Sequence, residues 1–439
     1  MLIEFTVGNF KSFRDKTTFS MIAANLTSGD PALDRDNIIP IKKSLSLLKT
    51  AALYGANASG KSNFGIALRV MRQIVLDSSQ VTSTPAEFGI EPFLLDMQTR
   101  EQSSYFEILF LLNGQQFRYG FEADKSHIVS EWLFHVPKTK EVALFLREEQ
   151  EITVKSGFKE GKGLETRTRK EALFLSVAAL FNEPVARMVQ EWFEDFVVAT
   201  GLQDEDFRRF TIDFLQPDGN RKDVIDLLRT FDLGFADIFV LDTDGIEKAM
   251  KDKSEEVRAN FQSTFAGRII TSHPIKDLNG NFVEEAFFDS NVHESQGTRK
   301  MIALAGPLRS ILTNGQIIFI DELDARLHPL MTRRIIEIFQ SPLTNPKGAQ
   351  LIFATHDTNL LDKNLFRRDQ IWFAEKDRER STHLTSLVEY KVRNDAAFEK
   401  NYLEGRYGAI PFLGDLNQLP LATGQETPEI ATDREQVYA

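Results

Sequence analysis

The chain has 439 residues, 42% hydrophobic and 26% charged, an ordinary balance for a water-soluble globular protein and enough length for two or three domain-sized units. Its formal net charge of −12 argues against a surface that coats nucleic acid, though not against a local basic groove, and the lack of cysteine excludes disulfides and Cys-ligated zinc. No apolar run approaches the length of a membrane span, and the opening MLIEFTVGNF lacks the basic-then-apolar order of a signal peptide, so the expected setting is the cytoplasm.

Short strands come first. Ile3, Phe5 and Val7 alternate with polar residues, and Thr17 to Ala23 reads as a second strand. The apolar run Ala51 to Tyr54 ends at a glycine, after which Phe64, Leu68, Met71 and Val75 recur at helical spacing. From 104 to 154 the pattern returns to strands, with a hairpin turn at Asn113-Gly114. Lys155 to Lys170 reads as a Gly- and charge-rich loop. Helices are expected at Glu171 to Phe181, from Asn182-Glu183-Pro184 to about Val198 with Asn182 as cap, at Asp223 to Thr230, and around Ile246 to Gln262. Asn279-Gly280 marks another hairpin. Strands at Ile317 to Ile320, Leu351 to Ala354 and Gln370 to Ala374 then alternate with a helix from about Pro329 to Phe339, which indicates a mostly parallel α/β sheet. A polar tail is expected after about Leu416. The 36 Phe residues are spread through these patterns, as core packing requires.

Two stretches carry chemistry. Gly55-Ala56-Asn57-Ala58-Ser59-Gly60-Lys61-Ser62 fits G-x-x-x-x-G-K-[ST] at every fixed position, between a strand and a helix. In such a loop the backbone N–H groups turn toward phosphate oxygens and the helix presents its positive end to the same anion. Lys61 can reach the β- and γ-phosphates, and the Ser62 hydroxyl can join a Mg²⁺ shell. The second stretch, Ile317-Ile318-Phe319-Ile320-Asp321-Glu322, delivers Asp321 at the carboxyl end of a buried strand, placed to hold Mg²⁺. Glu322 follows, placed to orient or deprotonate the attacking water. Together they predict a chain that binds and hydrolyses a nucleoside triphosphate.

In order along the chain, the phosphate loop, Ser295-Gln296-Gly297, Asp321-Glu322, Leu323-Asp324 and a strand ending Thr355-His356-Asp357 resemble the ABC-type ATPases. GNFKSFRD at 8–15 and DELDARLHP at 321–329 are similar to the heads of SMC and RecF-type proteins. The nearest resemblance is to the ATPase subunits of anti-phage systems of the RloA, PARIS and Septu types, with YLEGRYGAIPFL at 402–413 similar to a C-terminal feature of the RloA-like group.

The resemblance implies an α/β fold, an ABC-type P-loop ATPase head with an antiparallel β-lobe, a mostly parallel core sheet and an inserted helical subdomain. It divides the chain at 1–155, 156–270, 271–415 and a tail at 416–439. It implies ATP with Mg²⁺ as ligands, and a head-to-tail dimer or higher assembly in which Ser295, Gln296 and Gly297 cap the γ-phosphate held by a second copy. His356 would be the switch histidine beside Glu322, and Asp324 would touch the partner copy. The expected role is the sensor ATPase of an anti-phage system, triggered by a phage protein and controlling a separate effector such as a nuclease.

The residue-level alternatives stay open. Ser295 would serve equally as a plain helix cap, and His328-Pro329 as a plain helix start. Lys11, Ser12 and Phe13 are candidates for contact with adenine or phosphate. Gln98 and Gln102 lie near where a Gln-loop is expected, without fixing one. The alternative function is a DNA-clamping ATPase of the RecF kind, with Lys159, Lys162, Arg167, Arg169 and Lys170 as candidate cations.

Overall fold

A computed structural model describes residues 1–80, 88–138, 140–216, 218–241, 267–393 and 396–411, together with positions 254, 255, 259 and 262. Two large sheets carry the chain. The first is a seven-stranded antiparallel sheet in the order 151–154, 142–148, 128–136, 115–123, 104–112, 2–8, 17–20. The expected hairpin at Asn113-Gly114 is present, with both residues at positive φ, +51° and +76°, as a tight hairpin turn demands.

The second sheet has six strands in the order 196–200, 317–321, 350–354, 50–54, 371–376, 382–386. Its first five strands run parallel, and the last is an antiparallel edge. Thr50–Tyr54 and Gln350–Ala354 are buried at every residue, which is why both read as continuous apolar runs rather than alternating ones. Against this sheet lies the helix Lys61–Asp77, burying Phe64, Leu68, Met71 and Val75 at the expected spacing. Each such burial contributes on the order of 1.5–3 kcal/mol.

Several elements differ from the expectation. The helix after Asn182 spans Pro184–Glu194 and is capped by Glu183, whose Oε2 accepts from Ala186 N at 2.6 Å; Asn182 stands outside it at φ +65°. It stops at Asp195, and Phe196–Thr200 becomes the edge strand of the parallel sheet, paired from Phe196↔Ile317 to Thr200↔Asp321. The helix expected from Glu171 begins at Phe174, where the buried Glu131 carboxylate accepts from Phe174 N and Leu175 N. Segment 156–270 therefore holds the helices 174–180, 184–194, 205–215 and 218–229, together with the strands 196–200 and 237–240. The helix expected around 246–262 and the polar tail fall largely or wholly outside the described residues.

GRYGAIPFL at 405–413, an aromatic, Gly/Pro-shaped turn that in the sequence could dock a partner, packs with Tyr402 on its own core as far as the described residues reach. Tyr402 and Tyr407 stack on Phe373 at 5.5 and 5.3 Å between ring centroids, and the Tyr402 hydroxyl donates to Ala409 O at 3.1 Å.

The helix Gln296–Asn314 contains Pro307, which cannot donate to Ala303 O. The Thr211 hydroxyl, from the helix Glu205–Leu215, donates to that carbonyl at 2.7 Å and accepts from Gly306 N at 3.1 Å. Gly306 makes the approach possible, since a methyl there would lie 2.6 Å from Thr211 Oγ1 and 2.8 Å from its Cα. Thr211→Val keeps the volume and removes the donor, leaving a buried carbonyl unpaired. It is expected to lower the unfolding free energy by about 1–3 kcal/mol, measured by urea denaturation.

Candidate functional site

Parallel pairing puts the carboxyl ends of strands 50–54, 317–321 and 350–354 on one rim, where open α/β sheets place their ligands. The rim is stitched by backbone bonds that continue the ladder beyond the strands: Thr355 N to Leu53 O at 3.1 Å, Leu323 N to Ala354 O at 3.2 Å and Gly201 N to Asp321 O at 2.6 Å. The loop from Gly55 to Gly60 leaves the central strand, with Asn57 and Ala58 exposed and Ser59 buried. Gly60 sits at φ +113°, a conformation that L side chains rarely adopt, and a methyl there would meet the Thr382 side chain. The helix starts at Lys61 with no side-chain cap, so its first N–H groups are open to an anion. Ser62 is exposed at this start.

Lys61 is nearly buried, and its Nζ donates to Gly55 O at 2.7 Å and Ala56 O at 3.1 Å. Burial lowers its ammonium pKa to about 8, against the opposing pull of Asp321, Glu322 and Asp324. The same three carboxylates act on His356, but burial first and Lys61 second push its imidazole below the ordinary range. The structure thus brings Lys61, Asp321, Glu322, Asp324 and His356 together.

Glu322 is held at φ +54°, an arrangement that costs a non-glycine residue on the order of 1–3 kcal/mol. It directs the chain out of the strand just where the second carboxylate is needed. Asp321 Oδ1, Asp324 Oδ1 and Ser59 Oγ are buried with no hydrogen-bond partner. The orphaned Asp321 Oδ1 at the strand end and the exposed Ser62 at the helix start are the oxygens that would hold Mg²⁺, which binds through few protein oxygens plus phosphates. Among the described residues no cluster of three or more His, Asp or Glu could hold a metal alone.

Ser295 caps the helix Gln296–Asn314, its Oγ accepting from Thr298 N at 3.1 Å. Ser295 and Gln296 are exposed, and among the described residues no hydrogen bond joins Ser295, Gln296 or Gly297 to the phosphate loop. A methyl at Gly297 would lie 3.1 Å from Arg326 O, so this helix end rests on the loop that begins at Glu322. His328 caps the helix Pro329–Gln340, its Nδ1 accepting from Leu330 N at 3.2 Å.

Of the N-terminal candidates, Phe13 is fully buried, and Lys11 pairs with Glu91 at 2.8 Å, both side chains of the pair being partly exposed. Ser12 Oγ accepts from Asn63 Nδ2 at 2.7 Å and can donate its own proton to Thr382 Oγ1 at 2.8 Å, bracing the loop from below. Gln98 and Gln102 are exposed at the two ends of the turn Thr99–Glu101, and neither makes a side-chain hydrogen bond to the phosphate loop.

A family profile described as "AAA domain, putative AbiEii toxin, Type IV TA system" matches residues 51–362, more than half of the chain. The chain belongs to this family. The match spans the phosphate loop, the Ser-x-Gly helix, the Asp-Glu strand and His356, and it makes the chain an AAA-type P-loop ATPase by family. The chain is also similar to an SMC head domain from Thermotoga maritima, at 13% identity and a TM-score of 0.40, covering 88% of this chain and 98% of that one. A second similar structure is an SMC head bound to the C-winged helix domain of ScpA, at 12% identity and a TM-score of 0.39, covering 88% and 97%. Likenesses this slight say nothing of activity. No curated protein sequence matches the chain. No helix among the described residues is long and apolar enough to cross a membrane.

Sequence reasoning missed two residues of the site. Thr382, in the edge strand, donates to Ser59 O and can accept from the Ser12 hydroxyl, yet a lone threonine after Arg380-Ser381 carries no signal. Lys300 reads in the sequence only as a charge.

The lowered Lys61 pKa makes a signed prediction. A bound polyphosphate favours the ammonium, so binding is full below about pH 8 and weakens as pH rises through that value. Above it, nucleotide binding must take up a proton. Calorimetry at pH 9 in buffers of different ionisation enthalpy should show that uptake, and Lys61→Met should abolish it.

Proposed function

We propose that the chain hydrolyses ATP as a head-to-tail pair, each copy's phosphate loop and Asp-Glu strand working with Ser295, Gln296 and Gly297 of the other. The observation that carries the reading is the shared rim, where Lys61, Asp321, Glu322 and His356 converge beside an orphaned carboxylate oxygen. The exposure of Ser295 and Gln296 supports the second half of it. A helix end that has no bond to its own loop is free for a neighbour's nucleotide.

In this reading the loop amides of 55–60 cradle the phosphates, and Lys61 exchanges its two carbonyl partners for phosphate oxygens. Ser62 and Asp321 would hold Mg²⁺, which supplies positive charge against the triphosphate. Glu322 takes the proton of the attacking water. His356 offers an N–H to the γ-phosphate. Asp324 contacts the second copy.

We further propose a sensor role in anti-phage defence, with a separate effector. The family description, which names an AbiEii toxin of a type IV toxin–antitoxin system, supports a role in genetic conflict. Native purification tests it: a chain that carries no accompanying effector, from a locus that encodes none, rules the role out. The second reading, a DNA-clamping ATPase, draws on the exposure of all five cations Lys159, Lys162, Arg167, Arg169 and Lys170. Salt-dependent duplex binding that ATP strengthens would favour it.

The mechanism fixes the outcome of two experiments. Glu322→Gln should bind ATP normally and lose about 10²–10⁴-fold in turnover, read by steady-state hydrolysis beside direct nucleotide binding. Lys61→Ala and Ser295→Arg should each be inactive alone, and co-expression should recover activity through the one intact composite site. A Ser295→Arg protein that hydrolyses ATP at the normal rate would show that Ser295 is a cap and nothing more.

A further inference from the structure

Lys300 lies one turn into the helix that Ser295 caps, and it is fully buried. A buried ammonium is costly unless its donors are satisfied. Its Nζ donates to Leu323 O at 3.0 Å and to Ala325 O at 2.6 Å, the two carbonyls on either side of Asp324. Burial pushes its pKa down to about 8, with Asp204 first and Asp324 next opposing, so the group is charged at neutral pH.

The loop it grips cannot be held by local preference. Glu322 and Arg326, at its two ends, both stand at positive φ, +54° and +62°. Such residues persist only where the surroundings over-determine them. Leu323 anchors the loop's start, fully buried and with its N–H on Ala354 O at 3.2 Å. Ala325 N bonds Glu322 O at 3.1 Å, Leu327 N bonds Asp324 O at 3.0 Å, and Arg326 Nη1 bonds Asp204 at 3.0 Å. Gly201 closes the far side, where a methyl would press on Glu322 O and lie 2.8 Å from Lys300 Nζ.

We infer that Lys300 is a positioning residue that locks the Glu322–Arg326 loop to the Ser295 helix, so that both move as one body. Resting on the two-copy reading, this gives the helix a second task. When Ser295 engages the neighbour's phosphate, Lys300 carries that engagement to Glu322 and Asp324 of its own copy. Each site is thereby set by the occupancy of the other.

Hydrogen exchange on the full chain without nucleotide tests the lock independently of catalysis. In Lys300→Met, amides of 323–327 should exchange about 10-fold faster or more, while those of the helix 61–77 stay as in the native chain. Turnover should fall by about 100-fold, as a misplaced catalytic group implies, with KM for ATP within about 3-fold. Lys300→Arg, which keeps the donors, should recover part of both effects. Lys300→Gln, which keeps a shorter, uncharged donor, should show a smaller rise in the same amides, and it decides the matter if Lys300→Met does not fold. Unchanged loop exchange in a folded variant overturns the inference, as does a loss of turnover matched by an equal loss of nucleotide binding. A native chain with no ATPase activity would defeat the proposed function, whereas the loop's exchange would still decide Lys300.

Discussion

The arrangement depends on one constraint: the parallel register that ties strand 50–54 to 350–354 and 350–354 to 317–321. Ala354 faces Leu53 and Ile320 faces Phe353, so three chain segments leave the sheet at the same level. A slip of one residue in any of them would turn its side chains to the other face of the sheet. It would also draw Lys61, Glu322 or His356 back by more than the length of a hydrogen bond. Burial on both faces makes such a slip expensive, because every residue of the two inner strands would exchange a fitted environment for another. The core's tightness is thus what aims the site.

The rim gains little from its own folding. Three carboxylates gather around one lysine, and two of them leave an oxygen unpaired. Each unpaired buried oxygen costs about 1–3 kcal/mol. Glu322 adds backbone strain. Nothing in the packing requires these features, since an apolar strand end followed by a glycine would fold better. They make sense together as a place completed by a charged ligand, whose binding would satisfy the orphaned groups and thereby stabilise the fold. The same surplus of negative charge explains why Lys61 remains largely protonated at neutral pH despite its burial.

How much of the molecule was legible in the sequence depends on how local the determinants are. The phosphate loop and the helix 61–77 are contiguous, and their signal is the spacing of residues within a few turns. The strand 196–200 was not legible. The run RMVQEWFEDFVVAT keeps apolar residues recurring at helical intervals, and only pairing with 317–321, more than a hundred residues away, ends the helix at Asp195. Thr211 repairs the gap left by Pro307 from a different helix. Glu131 caps a helix from across the sheet. The turn bearing Tyr407 looked available to a partner because its ring partner, Phe373, lies in a separate strand. In each case a side chain meets backbone or ring from a distant segment, and a single sequence holds no record of that meeting.

Ser295 shows how a site can be legible and still ambiguous. As a cap, its Oγ accepts from Thr298 N, and that bond is present. An acceptor bond leaves the hydroxyl proton to donate, and Thr298 Oγ1, 2.9 Å away, is an acceptor within reach. A phosphate oxygen would compete for the same proton and, being charged, would win. The amides of Gln296 and Gly297, in the helix's first turn, have no partner inside the helix and point the same way. Capping and anion binding therefore use different lone pairs and different donors of one residue. The local sequence could not choose between them because the geometry of a capped helix start already contains both. What distinguishes this helix from an ordinary capped one lies a turn further on, where Lys300 ties it to the loop bearing Asp324.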